Sequence, residues 1–241
     1  MDFSNNIKYF KKRNYIFMIV SALLVVAGVI IAIALDKRQM WAGIVVAVVG
    51  VLLFFITNDS RPKDSDLDGA IQRKVADLEE VAKKGIDYRE KYVKAFPTRI
   101  FTDYDFSHYE TEGGDFMIQR GSDSKYRTNR YAAAAILFGQ ETLHIYLYRF
   151  YLTKAEEERD EHWLAEKYVD LDGAVTERRE HTYKLPDGKE VKLENLYIII
   201  KNNNGENIFE FPVNDGDDVD KAIQSINRMI ESKKSGKSEI K

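Results

Sequence analysis

The segment RGSDSKYRTNR, residues 120–130, gathers Arg120, Lys125, Arg127 and Arg130 within eleven residues, with Tyr126 inside it and Tyr131 following. Cations at that density can hold an anionic headgroup, and near a negatively charged bilayer each basic residue adds about 1 kcal/mol of attraction. The same residues suit an edge-strand turn, where Lys and Arg discourage unwanted pairing. Arg178 and Arg179 form a smaller pair open to the same two readings. A second candidate is DSDLDG, Asp64 to Gly69, which has the carboxylates of positions 1, 3 and 5 of a calcium loop and its glycine at position 6. Position 12, where a bidentate glutamate belongs, is Val75, so these acids are expected to serve as N-terminal charges of a helix.

Other chemistry is sparse. His108, His144, His162 and His181 each stand alone on their segments, without an HExxH pair or a cysteine partner. The complete lack of cysteine removes disulfides, thiolate metal sites and cysteine nucleophiles, and fits a reducing compartment. No phosphate-cradling glycine loop, dinucleotide fingerprint or serine elbow occurs. The acidic run Glu156, Glu157, Glu158, Asp160 and Glu161 reads as a solvated loop. No catalytic residue, metal ligand or cofactor is therefore expected, and a net charge of −3 carries no nucleic-acid footprint.

The elements that would position the cations begin with two apolar runs. Tyr15 to Leu35 is free of formal charge, and Met40 to Thr57 is equally apolar. About 20 residues at 1.5 Å rise cross a hydrocarbon core of roughly 30 Å, so each is expected to span a membrane. Asp36, Lys37 and Arg38 then form the solvated turn of a hairpin. Lys8, Lys11, Lys12, Arg13, Arg61 and Lys63 flank the hairpin against only Lys37 and Arg38 in the turn, which places both termini in the cytoplasm. Gly28 and Ala32 in the first run, and Gly43, Ala47 and Gly50 in the second, form small-residue stripes suited to close helix approach.

Mean hydropathy is −0.40 despite 44% hydrophobic residues, so the 31% that are charged belong to a separate soluble domain. A linker helix is expected from about Asp66 to Ala95, with Ser65 and Asp68 as a capping box and a break near Gly85. Its stripe of Leu67, Ile71, Val75, Leu78 and Ala82 suits either a coiled coil or packing on the domain. Glu79–Lys83, Glu80–Lys84, Asp87–Lys91 and Glu90–Lys94 are acid-before-base pairs on the solvent side.

From Pro97 the period changes to two. Eight strands are predicted, over 99–106, 115–120, 130–138, 141–153, 162–170, 175–185, 191–201 and 207–213, with a bulge or bend after Arg149 where the apolar parity shifts to Phe150 and Leu152. Period 3.6 then returns in Val219, Ala222, Ile223, Ile226, Met229 and Ile230, a closing amphipathic helix. The division is a basic segment 1–14, a transmembrane hairpin 15–57 (spans 15–35 and 40–57), a linker helix 58–96, a β domain 97–235 and a frayed tail 236–241. The fold class is a membrane α-hairpin plus an α+β cytoplasmic domain, an antiparallel barrel or sandwich capped by a C-terminal helix.

Strands ended by one amphipathic helix resemble a pleckstrin-homology-like domain, in which two sheets are plugged at one end by that helix. More closely, AAAILFGQETLHIYLYRFYLTKAEEERDEHWLAEKYVDLDGAV and DVDKAIQSINRMIESKK are similar to uncharacterised bacterial two-span membrane proteins with such a C-terminal domain. The similarity covers most of residues 70–235 and rests on hydrophobic pattern with Phe138, Tyr146, Tyr148, Phe150, Trp163 and Tyr168. Trp163 to Tyr168 departs from it, because relatives more often carry an aromatic pair there. The resemblance implies a non-enzymatic interaction module held at the bilayer for a protein partner or an anionic lipid headgroup, with homo-oligomers open. The alternative is a ligand-gated effector whose β domain senses a small anion such as a cyclic nucleotide.

Overall fold

The computed structural model describes residues 2–11, 15–34, 40–58, 62–85, 96–107, 116–154, 160–185 and 188–236. Two compact units make up the chain: Lys11–Lys63, and Met1–Phe10 together with Asp64–Lys241. The turn residues Asp36, Lys37 and Arg38 lie outside the described residues, as do His108, the Glu156–Glu158 run and the tail after Gly236.

The first unit is a pair of apolar helices, α2 (Tyr15–Ala34) and α3 (Met40–Asn58). The α2 helix has a mean hydropathy of 3.1 and is long and apolar enough to cross a membrane; the apolar part of α3, Met40–Ile56, is shorter. Small residues decide how the pair meets. A Cβ on Gly28 would sit 2.4 Å from the Ala47 nitrogen, and one on Gly43 2.3 Å from the Ala32 nitrogen. At Gly50 it would lie 2.8 Å from the Val25 nitrogen. The backbones are therefore in direct contact along an antiparallel seam that includes Gly28, Ala32, Gly43, Ala47 and Gly50, and only glycine fits its three tightest places. Ser21, buried at the same seam, donates its hydroxyl to the carbonyls of Phe17 and Met18, both at 2.9 Å. The outer surface is apolar and open: Ile16, Phe17, Leu23, Ile30, Phe55 and Ile56 are all exposed.

The second unit is organised around a sheet of order β1-β4-β5-β6, formed by β1 (Arg99–Tyr104), β4 (Arg130–Phe138), β5 (Thr142–Tyr151) and β6 (Asp160–Lys167). Every residue of β4 is buried, because this strand is covered on both faces. Ala132, Ala134, Ile136 and Phe138 face one core, and Tyr131, Ala133, Ala135 and Leu137 the other. A strand covered twice reads as a continuous apolar run, and the four consecutive alanines let layers close in from both sides.

On one face lie helices α1 (Phe3–Phe10), α4 (Asp64–Val75) and α5 (Leu78–Gly85), which insert Tyr9, Phe10, Leu67, Ile71, Leu78 and Ala82. Phe10 and Leu67 are essentially inaccessible, and removal from water is worth about 1.5–3 kcal/mol for such a side chain. On the other face lie the sheet β7 (Leu171–Lys184), β8 (Glu190–Asn202) and β9 (Asn207–Val213), and helix α6 (Asp217–Lys234). The α6 helix buries Val219, Ala222, Ile226, Met229 and Ile230. Its Asn227 also accepts from the Ala174 backbone N–H at 2.8 Å and donates to the Ala174 carbonyl at 2.9 Å, imitating a neighbouring strand along β7. A short hairpin, β2 (Ile118–Arg120) with β3 (Tyr126–Thr128), forms a third sheet and packs Ile118 with Phe106, Phe116 and Tyr183.

Several expectations are corrected by these features. The basic segment 1–14 is not a mere flank, since its residues 3–10 are a helix buried in the second unit. Of the two readings of the linker stripe, packing on the sheet is the one seen, and the helix has a further break at Ala76-Asp77 before Gly85, where α5 ends. The helix also starts at Asp64, so Ser65 lies within its first turn instead of capping it. The pairs Glu79–Lys83 and Glu80–Lys84 form at 2.5 Å, while the two later ones lie outside the described residues. No bulge interrupts β5, whose register with β4 runs unbroken from Leu143 to Tyr151. The apparent parity shift arises because both faces of β5 are buried: Leu143, Ile145 and Leu147 on one side, Tyr146, Tyr148 and Phe150 on the other.

Candidate functional site

The four cations of residues 120–130 do not form one patch. Arg127 on β3 is buried, 4% exposed, and its guanidinium is shared between two carboxylates. It donates to Asp68 at 2.9 and 3.2 Å and to Asp123 at 2.9 and 3.0 Å. The hydrogen bond from Arg127 holds the Asp123 carboxyl down at about 2, and the bonds to Asp123 and then Asp68 keep the guanidinium firmly charged despite its burial. Bidentate pairs of this kind are the strong ones.

Asp64, beside this group, accepts from the Tyr9 hydroxyl at 2.6 Å and from the Ser122 N–H and hydroxyl at 2.8 and 2.6 Å. Burial alone would raise the Asp64 carboxyl, but the bonds from Ser122 and Tyr9 outweigh it and hold the group low. Tyr104 completes the network by donating to Asp68 at 3.0 Å. Asp64 and Asp68 of DSDLDG are thus engaged by an arginine, two tyrosines and a serine. They fasten α4 and α1 to the β2-β3 hairpin, a role that local spacing could not reveal because the partners are 36 to 59 residues distant. Among the described residues no three His, Asp or Glu side chains converge as a metal site would require.

Arg130 is also turned inward. Its Nε lies 3.4 Å from Asp105 Oδ2, which faces Arg149 Nε at 3.2 Å, and Asp105 is wholly inaccessible. Arg149 reaches on to the Glu210 carbonyl at 3.2 Å. Arg120 is exposed over the Tyr126 ring, and Lys125 is exposed with no hydrogen bond from its ammonium among the described residues. Of the remaining basic pair, Arg178 bonds Glu194 and Asp215, and Arg179 bonds Glu177 and Glu210. Arg120 and Lys125 are therefore what is left of the cationic surface.

Beside them opens a cleft of about 390 Å³ at the outer edge of β1. The β1 residues Asp103 and Tyr104, Lys125 and Tyr126 of the short hairpin, and Glu194 and Asn195 of β8 line it, together with Phe106, Tyr131 and Asn214. Asp68 and Arg127 border the same cleft, so it shares two residues with the clamp on α4. Asp103 has the strand parity of Phe101 and Asp105, so β1 directs two carboxylates toward its core side. Reading β1 as a period-two strand with acids in place of apolar residues is the signal by which the sequence could have pointed here.

Desolvation raises the Asp103 carboxyl to about 6, against an N–H bond from Tyr104 at 2.7 Å; nearby Asp105 adds to the rise and Lys125 opposes it. A carboxyl raised on folding stabilises the fold below about pH 4, and that contribution is lost as pH climbs through 6. Asp103→Asn is accordingly expected to stabilise the full chain by roughly 2 kcal/mol at pH 7.5 and hardly at all at pH 4. Denaturation midpoints of both proteins at the two pH values check this. An equal difference at each would show that the ionised form carries no cost.

Comparison with protein-family models, curated proteins and solved structures returns no match for the chain.

Proposed function

We propose that the chain is a non-enzymatic, two-span integral membrane protein whose paired apolar helices hold a pleckstrin-homology-like interaction module on the cytoplasmic side. The observation that carries the reading is that the β-rich unit contains both flanks of the hairpin. The chain leaves this unit at Phe10 and re-enters it at Asp64, and the Tyr9 hydroxyl bonds the Asp64 carboxylate at 2.6 Å. An odd number of crossings would put α1 and α4 on opposite sides of a bilayer, where they could not share a core. A cleaved leader is disfavoured for the same reason, since its loss would remove Phe10, which is 1% exposed. The excess of Lys and Arg on the flanks supports the cytoplasmic assignment. The four- and three-stranded sheets and the closing helix α6 support the likeness to the pleckstrin-homology group.

The partner is a protein or an anionic lipid surface. With Arg127 and Arg130 committed internally, the lipid reading rests on Arg120 and Lys125 alone. The cleft favours a second reading, that of a ligand-responsive effector, because Asp68 and Arg127 belong both to its wall and to the clamp that holds α4.

Topology is tested on the full chain by fusing alkaline phosphatase after Lys241 and, separately, before Met1. Both fusions should be inactive, and the protein should stay in the pellet after alkaline carbonate washing. Activity from either fusion, or release into the wash, would overturn the proposal.

A further inference from the structure

We propose that the cleft at the β1 edge is a binding site for a small aliphatic ammonium compound, seated by Asp103 and the side-chain oxygens of Asn195 and Asn214. The argument starts from which polar atoms are already engaged. Asn195 donates its Nδ2 to the Tyr183 hydroxyl at 3.2 Å, and Asn214 donates its Nδ2 to the Thr102 carbonyl at 3.0 Å. Each amide thereby has one of its two N–H groups bonded to the protein, and among the described residues neither amide oxygen accepts a bond. Asp103 accepts from the Tyr104 N–H through Oδ1, leaving Oδ2 without a donor. The lining therefore offers three acceptors awaiting N–H groups, one of them anionic, in a space within the size range of small-molecule sites.

The walls fit the same ligand. Phe106 and Tyr126 border the cleft, and aromatic faces attract cations through their quadrupoles. Of the lining carboxylates, Asp68 is spent on Arg127 and Glu194 is bonded by Arg178, which leaves Asp103 as the one without an ion pair among the described residues. Lys125 is the remaining cation. It is exposed and held by no hydrogen bond among the described residues, so it can turn to solvent when a second positive charge enters. Its charge acts on the Asp103 carboxyl without an ion pair between the two among the described residues, and an incoming ammonium would take over that part. This inference stands apart from the membrane reading, since every residue it uses belongs to the β-rich unit.

The probe is cadaverine, with pentane-1,5-diol as the uncharged counterpart, titrated calorimetrically into the full chain in detergent micelles against an empty-micelle blank. Wild type should bind cadaverine saturably and show no saturable heat with the diol. Asp103→Asn, isosteric and expected to fold, should weaken cadaverine at least about tenfold, the loss of one charged hydrogen bond. Lys125→Met should tighten it about threefold or more, because the competing cation is gone. A site built for an anion would lose affinity in Lys125→Met. That result would overturn the proposal, as would wild-type affinity in Asp103→Asn, matching heats for amine and diol, or no saturable binding of cadaverine.

Discussion

Asp105→Ala is expected to destabilise the full chain by about 3–5 kcal/mol, the cost of removing one partner from a buried ionic group. Asp105 has no accessible surface and accepts from the Ser107 N–H at 3.0 Å, while its other oxygen faces both Arg130 and Arg149. Truncation would leave two guanidinium groups in the protein interior without their shared carboxylate. Arg149 would keep the Glu210 carbonyl at 3.2 Å and Asp160 at 3.9 Å, and that half-exposed carboxylate is a weaker counter-charge than the buried Asp105. The penalty comes from desolvated charge left without that carboxylate and not from the loss of attraction as such. Replacing the group with apolar residues of similar size, as Asp105→Leu with Arg130→Met and Arg149→Met, should therefore recover most of the loss. Urea denaturation followed by near-ultraviolet circular dichroism of the tyrosines separates the two outcomes. If the triple variant is as unstable as the single one, desolvated charge is not the cause.

The second large effect lies in the helix pair. Gly43→Leu should force α2 and α3 apart, because even the first carbon of the new side chain would fall 2.3 Å from the Ala32 nitrogen and 2.6 Å from the Gly28 carbonyl oxygen. Neither atom is the end of a flexible side chain, so the strain has no local outlet, and about 3 kcal/mol of packing is at stake. The chain has no cysteine of its own, which makes site-directed labelling unambiguous. Spin labels on cysteines at Val26 and Val48, both exposed, should give a narrow distance distribution in the parent and a longer, broader one in Gly43→Leu. An unchanged distribution would mean that the seam tolerates bulk and that the glycines are there for another reason.

Much of the fold could be read from the chain because its periods are strong. The two apolar runs, the closing helix and most strand positions follow from spacing alone. What could not be read has a common physical origin, namely contact between residues far apart. Tyr146 and Tyr148 look like a solvent-facing register until helices from residues 3–10 and 64–85 are laid over them. The strand expected over 115–120 contains β2, but its partner β3 was hidden because it is three residues long and lies in what looked like a charged loop. The candidate site shows the same limit more sharply. Counting cations in residues 120–130 found the right neighbourhood but could not tell Lys125, which faces solvent, from Arg127, which is shared by Asp123 and by Asp68, 59 residues earlier. Asp103 drew no attention because its shared parity with Phe101 and Asp105 marks acids on an apolar face without saying what they meet.

Asn227 has a wider consequence. Exposed margins of β structure invite other chains to join by main-chain bonding, and the usual deterrents are charge, proline or a twist. Here an amide projecting from a helix occupies both main-chain groups of Ala174, so a foreign segment would first have to evict it. This guards the Ala174 end of one border of the three-stranded layer with a substitute that is part of the same polypeptide and cannot diffuse away.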